Sequence, residues 1–154
     1  MKKNCKMPRG IILVALALML MSISLSKAYA LPGTTVQVNG KLFNPYFEFD
    51  GPYAKPRYGN TIMLEIKAKW VEDSLQGSGS LHGINCHSTF FFDDLTGTIE
   101  DGVLTLTGTV TGTSTPFQEW IGTPIQLVTD LSGYDMHLII AGFIDFAGTG
   151  KVVL

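Results

Sequence analysis

Apolar and polar residues alternate most cleanly between Ile62 and Trp70, where Ile62, Leu64, Ile66, Ala68 and Trp70 are separated by Met63, Glu65, Lys67 and Lys69. A period of two over this length predicts a β-strand with one buried and one wet face. Leu95 to Thr111 repeats the pattern as two Thr-rich runs broken at Glu100-Asp101-Gly102. Asp-Gly supplies the positive φ of a tight turn, so the segment predicts a hairpin. Leu104, Leu106 and Val110 share its inner face with Gly108, a position where a strand bends.

Ile125 to Thr129 and Tyr134 to Phe146 flank a second break at Leu131-Ser132-Gly133. The longer arm is apolar on both faces, with Met136, Leu138, Ile140, Ile144 and Phe146 in one row and Ile139, Ala141 and Phe143 in the other. That predicts a central strand, or one covered by a loop or a partner. Thr34 to Leu42 and Tyr46 to Asp50 read as strands parted by Asn44-Pro45. Gln76 to Ser80 reads as a flexible turn, Ser80 to Phe92 as extended chain kinked at Gly83, and Lys151 to Leu154 as a short closing strand. Short strands with regularly spaced turns indicate an all-β domain, either a small antiparallel barrel or a β-sandwich. Sequential hairpins favour an up-and-down meander, and closing it removes exposed edges. Such a meander resembles calycin-like barrels in architecture alone, which implies nothing about function.

Composition changes this picture at the N-terminus. Lys2, Lys3, Lys6 and Arg9 precede the apolar run Ile11 to Met21, and Ala28-Tyr29-Ala30 is a small-x-small cleavage pattern. Residues 1–30 are therefore expected to be a secretory signal peptide, and residues 31–154 a single all-β domain in the periplasm or outside the cell. That domain carries six basic residues against thirteen acidic, a balance of −7, which excludes a nucleic-acid binder acting through a basic surface. No later run approaches the roughly 20 apolar residues of a membrane-spanning helix. An outer-membrane barrel is disfavoured by Glu65, Lys67 and Lys69 on an outward row. Cleavage also leaves Cys86 as the lone cysteine, so the domain has no internal disulfide, and the apolar setting before Phe90 predicts a buried thiol.

Candidate chemistry is sparse. His82, Cys86 and His87, followed by Asp93 and Asp94, resemble metal ligands, but an extended strand spreads them over about 13 Å at roughly 3.3 Å per residue. No metal and no cofactor is expected. The acidic pairs Glu72-Asp73, Asp93-Asp94 and Glu100-Asp101 fit strand ends, with Asp93 and Asp94 diverging, while Glu48 and Asp50 share a solvated strand face. Nucleophile and dinucleotide signatures are lacking. The loop Gly51 to Asn60 stands out: two prolines stiffen it, and Tyr53, Arg57 and Tyr58 suit it to gating a ligand or meeting a partner. Trp70 and Trp120 suit either core packing or ligand stacking, and His137 is the histidine best placed to approach a pocket. These six residues form the expected binding set of an exported, non-catalytic barrel for a small apolar ligand. The alternatives are a structural or protein-interaction module of the cell envelope, with Tyr134 to Phe146 pairing or packing on another chain, and a barrel enzyme of the isomerase or cyclase type.

Overall fold

The computed structural model describes residues 33–47, 60–114 and 117–154. The expected signal peptide, Glu48, Asp50, Tyr53, Arg57 and Tyr58 lie outside them. Strands run β1 Thr35–Asn44, β2 Asn60–Val71, β3 Ser74–Gly83, β4 Ser88–Glu100, β5 Val103–Thr109, β6 Gly112–Thr113, β7 Pro124–Asp130, β8 Met136–Ile140 and β9 Ile144–Val153. All pairings are antiparallel, and β9 returns to β1 through Val38↔Val152 and Leu42↔Gly148. The ring is thus closed by eight strands, with the two-residue β6 appended to β4 at Phe90 and Phe91. This is the meander barrel and not the sandwich. Among the described residues the sole helical turn is the 3₁₀ segment Gln118–Trp120, which lies between β6 and β7.

Period-two patterning sends one row of each strand inward. Ile62, Leu64, Ile66, Ala68 and Trp70 are all buried, as are Leu104, Leu106 and Val110 from the Asp101-Gly102 hairpin. Asp101 and Gly102 have φ of 50° and 78°, the mirror-image turn that matches the twist of the flanking strands. Phe90, Phe92, Leu127, Leu138 and Phe146 are at most 1% exposed. The barrel interior is a packed core rather than an open pore. Lys67, Lys69, Glu65, Gln37 and Asn39 are exposed on the outer wall, the reverse of a lipid-facing barrel. No helix among the described residues is long and apolar enough to cross a membrane.

Five local expectations are corrected. Gln76 to Ser80 lies within β3 and is paired to both β2 and β4. A Cβ on Gly79 would meet the Glu65 carbonyl oxygen at 2.6 Å, so glycine permits a close strand contact here instead of a turn. Ser80 to Phe92 is not continuous extended chain: β3 ends at Gly83, and a turn through Ile84 to His87, with His87 at φ 53°, leads into β4. Tyr134 to Phe146 is not one arm either. Ala141 and Gly142, at φ 55° and 78°, fold it into the β8–β9 hairpin with Ile140 opposite Ile144. Lastly, the closing strand begins at Ile144 rather than Lys151, and Tyr46 and Phe47 leave the strand because Asn44 Oδ1 accepts their N–H groups at 2.7 and 3.0 Å.

A β-bulge explains Asp93-Asp94. Gly77 pairs with Leu95 and Gly79 with Phe92, which leaves two β4 residues opposite Ser78 alone. The inner row therefore shifts from Phe90 and Phe92 to Leu95 and Gly97, and both carboxylates point outward instead of diverging. Asp94 accepts from the Thr109 N–H at 3.0 Å and its hydroxyl at 2.8 Å, and Asp93 accepts from the Thr111 hydroxyl at 2.9 Å. The Thr109 bonds hold the Asp94 carboxyl below its ordinary pKa.

Candidate functional site at the loop-rich end

Strand direction divides the connections between two unlike ends. One end carries the short turns at Glu72-Asp73, Asp101-Gly102 and Leu131 to Asp135; the other carries residues 45–59, 84–87, 110–123 and 141–143. Four rings at this end form a continuous edge-on cluster. Phe47 meets Trp120 at 5.8 Å and Phe146 at 5.8 Å between centroids, and Trp120 meets Phe90 at 5.7 Å. Phe117 adds a fifth ring, 5.7 Å from Phe90. Phe90, Phe117 and Phe146 are buried, whereas Phe47 and Trp120 are half-buried. Edge-to-face pairs of this kind hold rings in fixed orientations, and an apolar guest laid on the half-buried pair would lose contact with water.

Two asparagines are buried at this end. Asn44 and Asn60 face each other in the register of β1 and β2 and are both buried. The Asn44 amide donates to the Asp145 carbonyl at 2.7 Å, but Asn60 Oδ1 has no hydrogen-bond partner among the described residues. A buried polar atom left in that state is costly unless something else satisfies it. Cys86 is buried as expected, with its thiol directed to the Gly83 carbonyl at 3.6 Å, and burial pushes its pKa up. It is a packed side chain and not a poised thiolate. His82 lies on the exposed outer face with Nδ1 3.1 Å from the Thr89 hydroxyl, while Cys86 faces the core.

Of the expected binding set, the structure places three residues, and it separates them. Trp120 belongs to the aromatic cluster. Trp70 ends β2 at the opposite, short-turn end, buried, with its indole N–H unpartnered among the described residues. His137 stands on the outer wall of β8. Its Nδ1 lies 3.0 Å from both Asp145 carboxylate oxygens and its Nε2 is 3.1 Å from Asp135. Phe47, Phe117 and Asn60 were missed. Phe117 carries no periodic signal because it sits in a connection, and Asn60 reads as a loop residue although it opens the inner row of β2.

The two carboxylates around His137, Asp145 foremost, raise its pKa. A raised folded-state pKa gives stability that is present below the unfolded value of about 6.5 and lost as pH rises through the folded value. With His137 over a third exposed, the expected cost of His137→Gln is at most about 1 kcal/mol at pH 5.5, vanishing at pH 9, as read from urea unfolding. An equal cost at both pH values would show that the ion pairs contribute nothing.

A trench of about 310 Å³ crosses the outer wall between β1 and β4, because Ser78, Gly79 and Ser80 leave a low floor between Lys67 and Asp93. Its charged and hydroxyl-bearing walls suit a polar guest, unlike the aromatic end. Family models, curated proteins and solved structures provide no match to this chain, so its functional reading rests on the geometry of its own two ends.

Proposed function

We propose that the protein is an exported, non-catalytic β-barrel that binds a small apolar ligand at its loop-rich end. The observation that carries this reading is the aromatic cluster with Phe47 and Trp120 half-buried at its surface. The packed interior argues against a ligand held at the middle of the barrel, so the guest lies toward the loop-rich end, beside Phe47 and Trp120. Asn60 offers a single buried amide to a hydroxyl or carboxyl group on an otherwise apolar molecule, a common balance in small-molecule sites. Export is supported by the basic start, the apolar run and Ala28-Tyr29-Ala30.

The interaction-module alternative loses its strand-pairing form, because β8 and β9 are bonded along both edges within the ring. The enzyme alternative lacks support from His137, whose acid partners meet it outside the barrel and away from the aromatic cluster. The test is a titration of the protein with N-phenylnaphthylamine, an uncharged apolar fluorophore. Saturable binding with one site per chain is expected, and linear, unsaturable emission would reject the reading.

A further inference from the structure

The trench on the outer wall is built by two neighbouring rows of outward side chains. In one row Asn39, Glu65, Ser80 and Phe91 stand opposite one another across β1 to β4; in the next, Gln37, Lys67 and Ser78 lead to Asp93 at the bulge. Both rows line the trench, and Ile66 and Gly79, between them, complete its lining. Each row extends about 14 Å across four strands at roughly 4.8 Å per spacing. The volume of about 310 Å³ falls at the lower end of the roughly 300–1,000 Å³ of small-molecule sites. Paired strands fix the backbone on every side, so the walls are held in place before any guest arrives.

We propose that this trench binds a neutral oligosaccharide. Phe91 is 45% exposed, and the electron-rich face of a phenyl ring attracts the polarised C–H groups of a pyranose. Asp93 stands two residues along on the same face. Its Oδ2 accepts from the Thr111 hydroxyl, which leaves Oδ1 to accept from a sugar hydroxyl beside the ring. Ser78 and Ser80 are short and keep the middle of the trench open. Glu65 and Lys67 oppose each other across it, and neither has an ion-pair partner among the described residues. Gln37 and Asn39 add two amides, each able to donate and accept. A sugar hydroxyl also does both, so vicinal hydroxyls satisfy a carboxylate, an ammonium and an amide in turn. Other occupants fit less well. An anion would meet two carboxylates against one ammonium, and an apolar molecule would take water from charged groups without replacing its hydrogen bonds. A peptide could not add as a strand, because the strands beneath the trench are already paired on both sides. The inference goes beyond the apolar-ligand reading and stands on different residues.

The test is calorimetric titration of the protein with maltopentaose, cellopentaose, xylopentaose and chitopentaose. Saturable binding of at least one is expected, to the same extent in low and high salt. With that sugar, Phe91→Ala should weaken binding at least tenfold, and Ser80→Leu, which fills the trench without removing a wall, should abolish it. Phe43→Ala removes a ring of nearly equal exposure from β1 outside the trench and should leave binding within twofold. All three side chains face outward, and unchanged thermal midpoints would verify that the variants fold. Failure of all four sugars, tighter binding of an oligogalacturonate than of any of them, or an equal effect of Phe43→Ala would overturn the inference. N-phenylnaphthylamine should titrate identically with the sugar present, so either proposal can fail without the other; displacement of one by the other would place both in a single site and overturn this one.

Discussion

Phe92→Ala is expected to destabilise the barrel by about 3–5 kcal/mol, a large fraction of the roughly 5–15 kcal/mol that a domain commonly has. Phe92 projects inward from β4 and is 0% exposed, so truncation removes a full aromatic burial and leaves a cavity whose walls are strands tied on both sides. Such walls cannot collapse freely. The adjacent residue provides the control: Phe91 points outward and is 45% exposed, and Phe91→Ala should cost no more than about 1 kcal/mol. Urea unfolding of both variants reads the difference. Equal costs would mean that the inner and outer rows of β4 are wrongly assigned.

Gly97→Ala adds one methyl group and is expected to cost about 3 kcal/mol or more. Gly97 lies opposite Leu106 in the β4–β5 hairpin. A Cβ there would land on the Thr105 carbonyl oxygen and within 2.9 Å of the Leu106 Cα. Those obstacles are backbone, so no rotamer change relieves them and the two strands must part. Gly112→Ala is the matched comparison, because its new methyl would meet only the Phe91 ring, at 3.6 Å, an ordinary contact. Gly112→Ala should be nearly neutral, and thermal unfolding should separate the two by ~10 °C or more. If Gly97→Ala is as mild as Gly112→Ala, β4 and β5 do not approach this closely.

These glycines also show where sequence reading stopped. Ile62 to Trp70 was legible because alternation survives any change in what the strand packs against. Asp101-Gly102 was legible because its side chains dictate the backbone angles. Gln76 to Ser80 was not, since Gly77 and Gly79 weaken strand propensity locally, and only the close approach of β2 and β4 gives them a reason to be there. Ala141-Gly142 hid a hairpin for a related reason: alanine seldom adopts positive φ, so the dipeptide lacks the Asn-Gly or Asp-Gly signature. The Asp93-Asp94 bulge was encoded as a slip from Phe90 and Phe92 to Leu95, one residue out of phase.

The candidate site was less legible than the fold. Tryptophan content pointed to Trp70 and Trp120 equally, but a residue's end of the barrel depends on the number of strands before it and their direction. Trp70 ends a strand running toward the short turns, and Trp120 lies in a connection at the other end. His137 and Asp145 come together only across the β8–β9 hairpin, a fold that the unbroken apolar run from Tyr134 to Phe146 does not signal. Asn60 took its place in the inner row once β2 proved to begin two residues before Ile62.

That opposite placement of two tryptophans makes the most direct test of ligand binding at the loop-rich end. Trp70→Phe leaves Trp120 as the sole indole in residues 31–154, and Trp120→Phe leaves Trp70. Titrating each variant with N-phenylnaphthylamine, which accepts energy from tryptophan, reports which end the guest occupies. Strong saturable quenching of Trp120 in the Trp70→Phe variant, with weak quenching of Trp70 in the other, is the predicted result. Stronger quenching of Trp70, or no saturable quenching of either, would contradict a binding site built on Phe47 and Trp120.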